Sequence, residues 1–294
     1  MSYLANIVEV GGLGENAFAF NGTEDGSTLK TIQVWESDYK IKAMKVWLTD
    51  GQSKQFGDPA GNLKEFTFED GEHFTSLSLW ANKDGTRLGA IKFKTSHSLE
   101  FYAKSAKGGL KKEVPVDVAS GICMGIQGHF GSDIDCVGFI FINTVKSAQL
   151  TDVVYPTILD VIPKVANSSV TQEYKIETSK KIIQKSSWSV KGKLEITFSL
   201  EVNAGIPFLA EGKSRYGLTI GVEGTYASET STEKMELFSF PVKVPAGKTV
   251  DVHITLGQAT VDLPFTGIIK ITCYNGSALE IETHGTYKGV AYSD

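Results

Sequence analysis

The chain has 294 residues, enough for two domains that each bury a core, and 41% of them are hydrophobic, as in an ordinary packed globular protein. A formal net charge of -5, with its 29 basic residues scattered, leaves no footprint for nucleic acid or for an anionic membrane surface. Cys123, Cys136 and Cys273 are too few for a disulfide scaffold; three buried thiols are the preferred reading, and a Cys123–Cys136 bridge is the alternative.

The stretch Met1 to Gly12 lacks a basic n-region and a long apolar h-region, so a conventional signal peptide is not expected. A soluble precursor, cytoplasmic or non-classically exported, follows as the expectation. No run of 18 apolar residues occurs, so no transmembrane helix is expected. That test leaves a transmembrane β-hairpin open, because each of its strands needs only about 9–11 alternating residues.

Short alternating runs at Ala43–Leu48, His73–Trp80, Gly89–Phe93, Val137–Ile142 and Val250–Leu256 predict half-buried antiparallel strands. Between them lie Glu24-Asp25-Gly26, Asp50-Gly51, Asp70-Gly71 and Asp84-Gly85, which accept the positive φ of hairpin turns. The fold class is therefore all-β. Glycine is frequent up to Gly138 and then absent until Gly192, and Pro156 and Pro163 fall within that gap. This predicts one domain over 1–146 and a second, with longer strands, over 147–294.

Two segments of the first domain invite a functional reading: Gly11-Gly12-Leu13-Gly14, and Gly131-Ser132-Asp133-Ile134-Asp135 ahead of the apolar run from Cys136. A glycine there permits a tight turn, backbone N–H groups can face a ligand oxygen, and a carboxylate can accept two hydrogen bonds from vicinal hydroxyls. The plainer alternative is that Asp133 and Asp135 cap a β-turn. With the glycine pair, this Gly-x-x-x-Asp loop resembles the jacalin-related lectins, over nearly all of residues 1–145. The resemblance implies a β-prism of three four-stranded sheets and a carbohydrate site at Gly12, Ser132, Asp133 and Asp135. A third family loop falls at Asn82-Lys83-Asp84-Gly85 and adds Asp84. A glycine pair inside an uncleaved chain goes with mannose in that family. Ile134 stands where many plant members carry an aromatic or bulkier residue.

In the second domain Leu194, Ile196, Phe198, Leu200 and Val202 alternate with polar residues, and Tyr216, Leu218, Ile220 and Val222 do so again. Every charged residue between 190 and 224 is odd-numbered, which puts all charge on one face of a strand. A turn centred on Phe208 pairs 204 with 212 and 194 with 222, giving both arms one apolar face. An amphipathic hairpin in a soluble sheet would look the same, except that the tip, Ile206, Pro207, Phe208 and Leu209, is apolar where a soluble hairpin is polar.

The tip, the Glu211-Gly212 pair and the Pro-containing runs from Phe240 and Val261 resemble the aerolysin-type β-pore-forming proteins. Combined with the lectin-like half, the chain resembles the natterin-like proteins of fish. That resemblance implies an elongated C-terminal sheet domain, binding of mannose-rich glycans or glycoproteins, a homo-oligomer, and a lipid membrane crossed by hairpin 194–222. The alternative is a soluble mannose-binding lectin whose second domain serves assembly or recognition without pore formation. An enzyme is not expected, since no HisGluxxHis, GlyxSerxGly or P-loop motif occurs. No cofactor is expected, and the histidines at 73, 97, 129, 253 and 284 show no metal-ligand spacing.

Overall fold

The computed structural model describes residues 2–14, 16–154, 173–191, 200–202, 227–243 and 257–293, and every helix or strand among them is a β-strand. In chain order the first twelve are β1 (Val10–Gly11), β2 (Asn16–Asn21), β3 (Leu29–Glu36), β4 (Ile41–Leu48), β5 (Ser53–Gly57), β6 (Asn62–Thr67), β7 (Phe74–Ala81), β8 (Leu88–Thr95), β9 (Glu100–Lys104), β10 (Val114–Val116), β11 (Cys123–Phe130) and β12 (Ile134–Phe141). They form three four-stranded antiparallel sheets, ordered β1-β12-β11-β2, β10-β7-β8-β9 and β5-β4-β3-β6. The sequence runs at 43–48 and 89–93 lie within β4 and β8, and those at 73–80 and 137–142 overrun β7 and β12 by one residue each. Gly26, Gly51, Gly71 and Gly85 all take positive φ, as their turns require.

Alternation sets the faces. Along β4, Ile41, Met44, Val46 and Leu48 are buried, while Lys42, Lys45 and Trp47 are half-exposed. The inner faces of the three sheets share one core, in which Phe68, Phe74, Phe93 and Phe101 pack ring on ring and Phe139 and Phe141 join through Phe74. Each such ring, fully buried, contributes roughly 1.5–3 kcal/mol, so this core holds the loops at the sheet ends in place. Trp35, Trp47 and Trp80 sit half-buried in their strands, and the Lys45 ammonium lies 4.4 Å from the Trp47 ring centre.

The remaining strands are β13 (Val145–Val154), β14 (Glu173–Lys191), β15 (Leu200–Val202), β16 (Ala227–Lys243), β17 (Gly257–Cys273) and β18 (Ala278–Ser293), in a sheet ordered β15-β13-β17-β18-β14-β16. Four of them run 16–19 residues, well beyond the usual 3–10. The chain divides into two compact units, the first holding Met1–Ala148 with Ile269–Glu282. In the first unit Asn275 Nδ2 and Ser277 Oγ both donate to the Ser2 carbonyl, at 2.9 and 3.1 Å, and Tyr274 N donates to the Thr144 carbonyl at 3.0 Å. The expected strand Val250–Leu256 lies outside the described residues. So do Leu194, Ile196, Phe198, the tip Ile206–Leu209, and Tyr216, Leu218, Ile220 and Val222.

Candidate functional site

The sheet order β1-β12-β11-β2 brings the N-terminal glycines to the Gly131–Asp135 turn. Gly11 is the register partner of Cys136, and Gly12 N donates to the Asp135 carbonyl at 2.9 Å. The β7–β8 loop arrives from the neighbouring sheet. Asn82 organises it from a buried position, its side-chain oxygen accepting from Thr86 N at 3.0 Å and Arg87 N at 3.2 Å. These segments enclose a cleft of about 470 Å³ lined by Gly11, Gly12, Leu13, Gly85, Thr86 and Arg87, with Glu9, His129 and Cys136. Leu13, 99% exposed, offers an apolar surface at its rim.

Gly12 is required by close approach. A Cβ there would stand 2.3 Å from the Thr86 carbonyl oxygen. Gly131, expected to need a glycine for its turn, does not: its φ is not positive, and no atom lies within 4 Å of where its Cβ would be. The turn is closed instead by Gly131 N donating to the Asp133 carbonyl at 3.0 Å.

Of the residues nominated from sequence, Gly12 lines the cleft. Ser132 and Asp84 are exposed. Asp133 and Asp135 are buried, their side chains 4% and 7% exposed. Asp133 takes the Lys40 ammonium and, at 2.7 Å, the Lys42 ammonium. Burial works to raise its carboxyl, but the hydrogen bonds and charges of Lys40 and Lys42 outweigh burial and hold it below the ordinary carboxylate value. Asp135 Oδ1 lies 3.0 Å from Arg87 Nε, and its other oxygen lies under Gly14, where a Cβ would meet it at 2.1 Å. Arg87 Nε is buried without the alignment of a hydrogen bond, although it also lies 3.5 Å from Asp133 Oδ2. Arg87 thus stands over the Asp135 carboxylate and is itself the cleft residue.

Sequence reasoning missed Arg87, Lys40 and Lys42. The signal available was Lys40-x-Lys42, two cations on one face of a strand. It also missed a cluster at the cleft wall. His129 and Cys136 are direct partners across β11–β12, and Glu9 precedes β1 beside them. Cys136 Sγ is 3.4 Å from His129 Nδ1 and 3.6 Å from Glu9 Oε2. Burial first, and the Glu9 charge second, push the Cys136 thiol up to about 11. All three cysteines are free, so Cys123 and Cys136 are not bridged.

The described residues contain no helix long and apolar enough to cross a membrane. Residues 7–140 match the jacalin-like lectin domain. Over all of this chain and 97% of its own, the crystal structure of lamprey immune protein is 44% identical, with a TM-score of 0.75. Malaysian banana lectin is 23% identical over 48% of this chain and all of its own, with a TM-score of 0.39. A mannose-binding jacalin-related lectin from Ananas comosus is 20% identical over 46% of this chain and 98% of its own, with a TM-score of 0.38. No curated protein matches the chain.

Proposed function

We propose, starting from the fact that this chain belongs to the family of the lamprey immune protein, that it is a glycan-targeted pore former of the natterin-like, aerolysin type. Its jacalin-like domain binds carbohydrate at the cleft between Gly11–Leu13 and Gly85–Arg87, with mannose-containing glycans as ligand. The second domain then oligomerises and inserts hairpin 194–222 as part of a transmembrane barrel. Lectin and immune-protein relatives make the chain a non-enzymatic protein.

One observation carries the pore half. β14 and β16 pair antiparallel from Glu173↔Lys243 to Ser189↔Ala227, and every pair is symmetric about Phe208. The hairpin read from the alternation of the sequence, with 194 opposite 222 and 204 opposite 212, has the same centre. The hairpin expected over 194–222 would continue this ladder in the same register. Continuing it needs no slip, and a slip of one residue would turn every side chain to the other face. An isolated hairpin leaves unpaired edges, which lipid does not tolerate, so crossing requires closure by several copies. Glycan binding supplies the local concentration for that assembly.

A specific observation favours the second reading, a soluble glycan-binding protein. Leu200–Val202 is placed as edge strand β15 beside β13, as a resident of an ordinary sheet. The two readings separate on liposomes bearing mannosylated lipid. Environment-sensitive probes placed singly at 194–202 and 214–222 should report lipid at even positions and water at odd ones, with dye released. An aqueous signal at every position, with the protein bound and the dye retained, would leave the soluble reading standing.

A further inference from the structure

We propose that Glu9, His129 and Cys136 form a site for a divalent transition metal of the zinc class, its fourth coordination position open to the cleft. The three donors are a carboxylate oxygen, an imidazole nitrogen and a sulfur, and all lie within 4.8 Å of one another. Two of their three separations are those a tetrahedral ion imposes, and the third is about half an ångström wider. With bonds of about 2.3 Å to sulfur and 2.0 Å to nitrogen and oxygen, a tetrahedral angle sets sulfur about 3.5 Å from each of the other two donors, and those two about 3.3 Å apart. The sulfur stands 3.4 Å from His129 Nδ1 and 3.6 Å from Glu9 Oε2, and those two donors are 3.9 Å apart. Closing the last gap asks only for a small rotation of Glu9, whose side chain is a third exposed.

The scaffold is rigid where it matters. His129 and Cys136 are held opposite each other by the β11–β12 ladder, and Glu9 leads into β1, which pairs with β12 at Gly11↔Cys136. Gln127 Nε2 donates to the other Glu9 oxygen at 2.6 Å, the outer-shell contact that orients a ligating carboxylate. A sulfur donor disfavours calcium and magnesium, which take oxygen ligands, and suits zinc. All three residues line the cleft, so the ion has a path in and a water has a place to complete the tetrahedron. The Cys136 proton passes to solvent as the sulfur–metal bond forms. A hydrogen-bonded cluster alone would also hold these atoms near each other, but it would show no preference for a thiophilic ion.

The test uses the full chain and needs neither glycan nor membrane, so its failure is separate from failure of the lectin and pore reading. Cobalt(II) should bind one to one and show a thiolate charge-transfer band with the intense visible bands of a tetrahedral site, and zinc should displace it. C136S should abolish the charge-transfer band, and H129A and E9Q should each weaken zinc binding at least tenfold, while C273S changes nothing. Should C136S fail to fold, E9Q, at a partly exposed side chain, decides with H129A. A cobalt spectrum without thiolate character, or zinc affinity unchanged in E9Q and H129A, would overturn the site.

Discussion

Replacing Gly12 with alanine tests the cleft at the point where its two walls touch. The new Cβ would stand 2.3 Å from the Thr86 carbonyl oxygen, with the Thr86 carbonyl carbon and Cα at 2.5 and 2.7 Å. An ordinary carbon–oxygen contact is about 3.3 Å, so the glycine segment and the 85–87 loop must part by roughly 1 Å. All three atoms are backbone, so no side chain can swing aside. Overpacking of this kind costs about 1–3 kcal/mol of stability, which leaves the domain folded on the large aromatic core. A ligand bridging the two walls fares worse. Hydrogen bonds fitted at about 2.9 Å are lost when one partner retreats by 1 Å. Two such bonds, at about 1–1.5 kcal/mol each, amount to a loss of about 30- to 150-fold in affinity. Calorimetric titration with methyl α-mannoside or a mannose-rich glycopeptide reads this directly, with a thermal melt to verify folding. G131A is the matched control, because no atom lies within 4 Å of its added carbon. A folded G12A protein that binds glycan like the wild type would refute the assignment of the cleft.

Two further outcomes follow from the charges. D133N should cost about 2–3 kcal/mol at neutral pH, below the range for a fully buried pair because Lys40 and Lys42 are 34% and 22% exposed. The folded Asp133 carboxyl lies below its unfolded value of about 3.9. Its contribution is therefore complete above that pH and lost as pH falls through the lower folded value, so the wild-type advantage in a melt should vanish at the acid end; an advantage independent of pH would exclude charge as its cause. A lysine at Leu200 or Leu218 should abolish dye release while glycan binding persists, because a charge near mid-membrane costs roughly 2–4 kcal/mol in every subunit of a barrel. A lysine at Ser199 should change ion selectivity alone, and equal release by all three variants would remove the lipid-facing assignment.

The fold was legible because its signals are local. Aspartate–glycine pairs need positive φ wherever they stand, and alternation along β4 or β7 depends only on which face meets the core. The grouping of Ile269–Glu282 with the first unit was not legible. Ile269, Ile271, Cys273, Leu279 and Ile281 alternate with more exposed residues like any half-buried hairpin, and an apolar face does not name the body that covers it. Placement came instead from polar contacts to Ser2, some 270 residues away in the chain.

The site divides along the same line. The glycine pair and the Gly131–Asp135 turn could be found because each is a contiguous motif, yet their chemistry depends on what other strands deliver. Asp135 looked like a free acceptor in the sequence, but Arg87, from a different sheet, covers it. Asp133, nominated as a sugar ligand or a turn cap, is the anchor for two lysines of β4 and its lead-in. His129 and Cys136 are seven apart, a spacing that on a helix shares a face but leaves the pair about 10 Å apart, yet across a tight hairpin it makes them partners. Reading that pair from sequence needs the register, and the register needs the turn. Equal distance from a turn at 131–133 pairs Phe130 with Ile134, and a one-residue register shift next to it then sets His129 opposite Cys136. The same reasoning centred the 194–222 hairpin on Phe208, and the β14–β16 ladder shares that centre. Glu9 escapes the rule because β1 is joined to β12 only by the closing of the sheet, and no local symmetry points to it.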